Sequence, residues 1–139
     1  MRLRHLALIV RSLDVSEPVY RDMLGLAPSG RAAIEREGVH VSFVPVGHSQ
    51  IELLEPVDPQ SSPGRFLSTR GEGIHHIALE VSDLRAAIGR AVKAGFRVID
   101  ATPRTGAQGT RVVFIHPTSA HGVLIELVQP PGLPAVNVL

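Results

Sequence analysis

The chain has 139 residues, of which 44% are hydrophobic and 19% are charged, a composition typical of a folded globular protein and not of a disordered segment. The formal net charge is +1 and there is no cysteine, so we expect no nucleic-acid partner, no anionic membrane surface, no disulfide framework and no thiolate metal site. The first apolar run is too short for a signal peptide and no stretch could span a membrane, which predicts one cytoplasmic domain over residues 1–139.

The N-terminal half predicts a strand, a helix and two further strands. A buried strand is expected at "HLALIV" (5–10). A helix is expected from Asp14 to Leu24, where apolar residues recur at helical spacing at Val15, Val19, Met23 and Leu24. Strands follow at "HVSFVPV" (40–46) and "QIELLEP" (50–56), joined by a hairpin turn. Residues 57–64 are the most loop-like segment, and residues 65–73 predict a helical turn at most.

The same order of elements then restarts. "HHIALEV" (75–81) predicts a strand, and residues 82–95 predict a helix with Leu84, Ile88, Ala91 and Val92 on one face. Three strands are expected at "FRVIDA" (96–101), "TRVVFIHP" (110–117) and "HGVLIELVQ" (121–129). The proline-rich tail over 130–139 predicts no further strand.

This restart indicates an internal repeat, with halves at about 1–56 and 74–130. His5-Leu-Ala recurs as His76-Ile-Ala, and "IELLEP" recurs as "IELVQP". Because a single such unit leaves an apolar face uncovered, we expect the halves to pair. The predicted class is α+β: two βαβββ modules forming a cupped, mixed or mostly antiparallel sheet.

Each half carries a histidine at the start of its first strand and a glutamate inside its last strand. An isolated carboxylate among aliphatic residues is costly to bury unless a charge or a hydrogen bond offsets it. If the halves are pseudo-symmetric, the four side chains converge, and two imidazoles with two carboxylates suit a divalent first-row metal. The predicted ligands are His5, Glu52, His76 and Glu126. Glu55 is the alternative acid to Glu52, and strand alternation predicts that His75 faces away from His76.

These residues resemble the vicinal oxygen chelate superfamily of glyoxalase, bleomycin resistance and dioxygenase proteins. More narrowly, "GEGIHHIALEV" and "HPTSAHGVLIEL" resemble methylmalonyl-CoA epimerases. The resemblance implies a divalent metal, with Co²⁺ ahead of Mn²⁺, Ni²⁺ or Zn²⁺, and a homodimer that interconverts the epimers of a CoA thioester. It also implies that His5, His76 and Glu126 lie at metal-ligand positions, and that Glu52 lies where some members have Gln and others Glu. We expect Glu126 to transfer a proton as well.

The sequence departs from the epimerase pattern at several positions. Val41 stands near the position where some epimerases have a second acid/base carboxylate, which leaves His40, Glu37 and Glu35 as candidates. Thr118 and Gln108 replace residues of the family motifs "HPKS" and "GAHG". Two other classes therefore stay open. One is a glyoxalase-type isomerase or thiol transferase with the same metal ligands, and the other is a metal-free ligand-binding protein of the bleomycin-resistance kind.

Overall fold

The computed structural model describes residues 1–132, so residues 133–139 of the predicted domain and tail lie outside the described part. Among the described residues the strand order is β2-β3-β4-β1-β5 in the N-terminal part of the chain and β8-β7-β6 in the C-terminal part, and the predicted α+β class is confirmed. The strands are β1 (Arg2–Ile9), β2 (Gly30–Ile34), β3 (Val39–Val46), β4 (Ser49–Pro56), β5 (Gly73–Glu80), β6 (Val98–Thr105), β7 (Arg111–Ile115) and β8 (Ile125–Gln129). The α-helices are α1 (Leu13–Pro18), α2 (Ser62–Arg70) and α3 (Leu84–Lys93).

Residues 3–78 form the N-terminal unit. Its strand β4 takes part in both parallel and antiparallel pairing. It pairs in parallel with β1 and antiparallel with β3, and β3 pairs antiparallel with β2. Leu13 of α1 packs with Val44 and Leu53 in a buried cluster on one face of these strands. Because side chains alternate along a strand, Glu52 and Leu54 lie on the opposite face from Leu53.

The first predicted helix is observed as two successive helical segments. It ends at Pro18 and continues as a π-helical turn over Val19–Met23, as expected where proline removes a backbone donor. Val15 is 73% exposed and Met23 is 78% exposed, so the apolar stripe of the sequence faces solvent. Within α1 the buried contact is made by Leu13.

An ion-paired cluster ties the unit's outer strand β2 to α1. The Arg31 guanidinium donates hydrogen bonds of 2.8 and 2.9 Å to Glu17 and one of 2.7 Å to Asp14. These contacts lower the pKa of the Glu17 carboxyl below its usual value, chiefly through the hydrogen bonds from Arg31. The cluster links α1 to a strand to which the predicted βαβββ order had assigned no residues.

The helix α2 is longer than the turn expected from the sequence. Its first turn is capped by Ser61, whose hydroxyl accepts a 3.0 Å hydrogen bond from the backbone N–H of Gly64. Pro63 lies in the first turn, where its missing N–H removes no intrahelical bond. The serine and proline residues in the segment that was predicted to be a loop therefore mark the start of a helix.

The C-terminal unit comprises residues 1–2 and, within the described part of the chain, residues 79–132. In it β7 pairs antiparallel with both β6 and β8. The helix α3 begins after Asp83, whose carboxylate accepts a 3.0 Å hydrogen bond from the N–H of Ala86. Its apolar face packs on the sheet in a core that contains Leu84, Ala87, Val113, Ile115 and Leu127.

None of the helices within residues 1–132 has the length and apolar character required to cross a membrane.

Candidate metal centre

Two histidines from β1 and β5 meet in the N-terminal unit. His5 is 4% exposed and His76 is 6% exposed, so both rings are removed from solvent. Their Nε2 atoms lie 3.1 Å apart, and the rings meet edge to face with centroids 5.3 Å apart. Two of the predicted metal ligands therefore lie side by side in this unit, with their Nε2 atoms facing each other.

The separation of these nitrogens suits two ligands of a single ion. An imidazole nitrogen binds a divalent metal such as Zn²⁺ at about 2.0–2.1 Å. Two neighbouring ligands at that distance, with an angle of roughly 90–110° between them, are separated by roughly 3 Å. The observed 3.1 Å between the Nε2 atoms of His5 and His76 matches this spacing. The spacing of these two nitrogen atoms therefore suits the binding of one metal ion by both histidines.

Glu52 lies beside the other nitrogen of His5. In the parallel pairing of β1 with β4, His5 is opposite Gln50 and Ala7 is opposite Glu52. The Oε1 atom of Glu52 lies 3.3 Å from Nδ1 of His5 and accepts a 3.0 Å hydrogen bond from the Gln50 side chain. Glu52 is 5% exposed. Its carboxylate thus contacts the imidazole nitrogen of His5 that does not face His76.

Glu55, the alternative acid, has a different role. Its carboxylate accepts a 2.7 Å hydrogen bond from the backbone N–H of Leu13, the first residue of α1. Strand alternation puts it on the face of β4 opposite Glu52. It satisfies a helix terminus and does not share the face that carries Glu52.

His75 approaches His76 from the same strand, β5. The Nδ1 atoms of the two residues lie 2.8 Å apart, a hydrogen-bond distance. The His75 ring also meets Phe66 of α2 edge to face, with centroids 5.2 Å apart. The prediction that His75 faces away from His76 is wrong for the ring, because the side-chain torsions bring Nδ1 back toward its neighbour.

Glu126 is placed in the C-terminal unit, in the middle of β8. It is 7% exposed and is opposite Phe114 of β7 in the antiparallel register. Its strand neighbour Leu127 belongs to the core under α3, so alternation turns Glu126 to the other face. Glu52 is opposite Phe43 of β3 in the same way. This phenylalanine, which recurs in "VSFVP" and "VVFIHP", is a repeat signal that the sequence analysis missed.

The candidates for a second acid or base lie apart from Glu52. Val41 is fully buried and is opposite Leu54, so it shares the Glu52 face without offering a polar atom. His40 is exposed and lies on the other face of β3. Glu35 and Glu37 belong to the 3₁₀ turn that precedes β3.

Comparisons with known proteins agree with the resemblance drawn from the sequence. The model of the Glyoxalase/Bleomycin resistance protein/Dioxygenase superfamily matches residues 4–114. The mitochondrial methylmalonyl-CoA epimerase of Dictyostelium discoideum is 39% identical over 91% of this chain and 76% of its own length. The ethylmalonyl-CoA/methylmalonyl-CoA epimerase of Cereibacter sphaeroides is 38% identical over 92% of this chain and 97% of its own length.

Solved structures show the same likeness. A methylmalonyl-CoA epimerase in complex with methylmalonyl-CoA and NH₄⁺ superposes with a TM-score of 0.90 and 34% identity, over 94% of this chain and 95% of its own. The superfamily match and the identity to these relatives extend over most of the chain. The chain therefore belongs to the glyoxalase/bleomycin resistance protein/dioxygenase superfamily, in which several of its relatives are named methylmalonyl-CoA epimerases.

Proposed function

We propose that the protein is a divalent-metal-dependent epimerase of methylmalonyl-CoA. The observation that carries the proposal is the buried pair of imidazoles with Nε2 atoms 3.1 Å apart. The pair occurs in a chain whose relatives, at 38–39% identity, are named as epimerases of this thioester. The substrate class comes from those names, and the metal chemistry comes from the donor atoms of this chain.

The proposed ligands are His5, His76 and Glu126. All three are buried, and each can offer one ligand atom to a metal ion. Glu52, which the sequence predicted as a fourth ligand, is proposed to orient His5 through the 3.3 Å contact with Nδ1. Co²⁺ is the proposed metal, with Mn²⁺, Ni²⁺ or Zn²⁺ as substitutes.

The reaction requires inversion at the α-carbon of the thioester. A bound divalent cation supplies a Lewis acid that stabilises negative charge on an oxygen of the substrate. A carboxylate oxygen of Glu126 takes the α-proton, and the electron pair of the C–H bond moves into the enolate of the thioester. An acid on the opposite face, to which no residue is assigned, gives its proton to that carbon and so forms the other epimer, while the proton on Glu126 passes to solvent; there is no redox change.

The remaining proposals concern the setting of the enzyme. We propose a homodimer, as the superfamily resemblance implies, and light scattering on the purified protein would give the mass. The cytoplasm is the proposed location, because a chain without cysteine needs no oxidising compartment to fold.

Incubation of the Co²⁺-loaded protein with one epimer of methylmalonyl-CoA in D₂O tests the function. We expect inversion accompanied by deuterium at the α-carbon. The proposal fails if neither inversion nor α-deuteration occurs, and turnover of a hemithioacetal in its place would favour the glyoxalase-type alternative.

The role of Glu126 is tested by the Glu126→Gln variant. Glutamine keeps the size of the side chain and one oxygen, but it is not a base at neutral pH. We expect inversion to slow by about 100-fold or more, the usual effect of losing a general base. Glu72→Gln is the matched control, because Glu72 is an exposed carboxylate paired with Arg11. Near-normal epimerisation by Glu126→Gln would exclude Glu126 as the base.

A further inference from the structure

We propose that His75 is a positioning residue that fixes the tautomer of His76 so that its Nε2 atom can bind a cation. This inference rests on the metal site proposed above and assigns a role to a side chain outside the ligand set. It follows from three contacts of the N-terminal unit: the Nδ1 atoms of His75 and His76, the Nε2 atoms of His76 and His5, and the ring of His75 against Phe66.

The donor and acceptor inventory of imidazole gives the direction of the hydrogen bond. A neutral imidazole carries one N–H, and the nitrogen that binds a metal must keep a free lone pair. If Nε2 of His76 is the ligand atom, its proton is on Nδ1 and is donated to Nδ1 of His75 across 2.8 Å. His75 then accepts at Nδ1 and carries its own proton at Nε2.

The opposite tautomer would prevent cation binding. With the proton on Nε2, His76 would donate it toward Nε2 of His5, 3.1 Å away, and two ligand atoms would be occupied by one hydrogen bond. When Nδ1 of His75 carries no proton, it accepts the Nδ1–H of His76, and this hydrogen bond disfavours the tautomer of His76 with its proton on Nε2. Glu52 lies beside the other ring of the pair, with its carboxylate 3.3 Å from Nδ1 of His5.

The surroundings hold His75 in place for this role. Its ring is half-buried and packs edge to face on Phe66, with centroids 5.2 Å apart. The guanidinium carbon of Arg70 lies 5.3 Å from the centroid of the Phe66 ring. Both residues belong to α2, so this helix supports the strand position that carries the two histidines.

The test compares His75→Leu with His75→Asn. The two side chains have similar shapes, but the asparagine Oδ1 atom is an acceptor near the place of Nδ1. Zn²⁺ affinity is measured by competition with a chelator. We expect at least about a tenfold loss in His75→Leu, the scale for removing a hydrogen-bond partner of a metal-binding histidine. His75→Asn should recover most of that loss.

A second readout is the tautomer itself. Long-range ¹H–¹⁵N spectra of the Zn²⁺-loaded wild-type protein should show the His76 proton on Nδ1. A proton elsewhere on that ring overturns the inference, even if His75→Leu does not fold. Unchanged Zn²⁺ affinity in His75→Leu also overturns the inference. So does an equal loss of Zn²⁺ affinity in His75→Leu and His75→Asn. Absence of Zn²⁺ binding by the wild-type protein would refute the metal site, a distinct result.

Discussion

At the residue scale, Glu52 and Glu55 show how strand alternation separates two carboxylates on one strand. Glu52 contacts Nδ1 of His5, whereas Glu55 accepts the N–H of Leu13 at the start of α1. The sequence repeat singled out Glu52 because its counterpart Glu126 has no glutamate three residues later. The ring contact between His75 and His76 could not be predicted. The alternation of side chains along a strand fixes the direction of each Cα–Cβ bond, but the side-chain torsion angles then decide where the ring lies.

Glu52→Gln tests the orienting role of this carboxylate. The amide keeps the size of the side chain but loses the charge that attracts the Nδ1–H of His5, so we expect metal affinity to fall by about tenfold. Calorimetric titration with Zn²⁺ measures it. Glu55→Gln should leave the affinity unchanged, since glutamine still offers an oxygen to Leu13. Complete loss of binding in Glu52→Gln would instead identify Glu52 as a ligand, as the sequence predicted.

At the scale of elements, the strands that carry the site were predictable and two peripheral elements were not. The strands β1, β4, β5 and β8 have aliphatic runs, and each of these strands contains buried residues. The strand β2 has the exposed sequence "GRAAI", which lacks both alternation and β-branched residues in its first four positions. The helix α2 contains Gly64 where a helix pattern would favour another residue, and its tertiary setting explains that glycine.

Gly64→Ala should destabilise the protein although alanine is the better helix former. A Cβ at Gly64 would clash with the carbonyl oxygen of Asp58 and lie 2.9 Å from Cα of Pro59, and backbone atoms cannot easily yield. We expect a loss of about 1–3 kcal/mol in the free energy of unfolding, measured with urea.

Gly89→Ala in α3 is the control for helix propensity. Among the described residues, nothing lies within 4 Å of a Cβ built at Gly89. The free energy of unfolding of this variant should therefore be higher than that of the wild-type protein by about 0.5–1 kcal/mol. A gain of similar size in Gly64→Ala would contradict the close backbone contact.

At the scale of the whole molecule, the repeat predicted the fold class because it fixed the order of elements in each half. It also singled out one histidine and one glutamate per half. The proposed ligands His5, His76 and Glu126 are far apart in sequence, so an unfolded chain does not hold them near one another. A cation that binds all three stabilises the folded state alone.

Metal removal should therefore lower the thermal unfolding midpoint. At a free Co²⁺ concentration of 100 times Kd, the expected stabilisation is about 2.7 kcal/mol, a shift of several degrees. Thermal scans with Co²⁺ and with a chelator measure it. His76→Ala should show no shift, and an equal shift in this variant would indicate binding elsewhere on the protein.

The irregular strand β6 has a consequence for self-association. It is the last strand in the sheet order, and its register with β7 shifts between Ile99 and Arg104, where Asp100 has a φ of 51°. A straight outer strand offers unpaired N–H and C=O groups as a template for another chain, which leads to aggregation. In β6 the register shift interrupts the regular row of backbone N–H and C=O groups. The Asp100–Arg104 ion pair also places charged side chains on this strand. This end of the sheet is therefore a poor template for the growth of intermolecular β-structure.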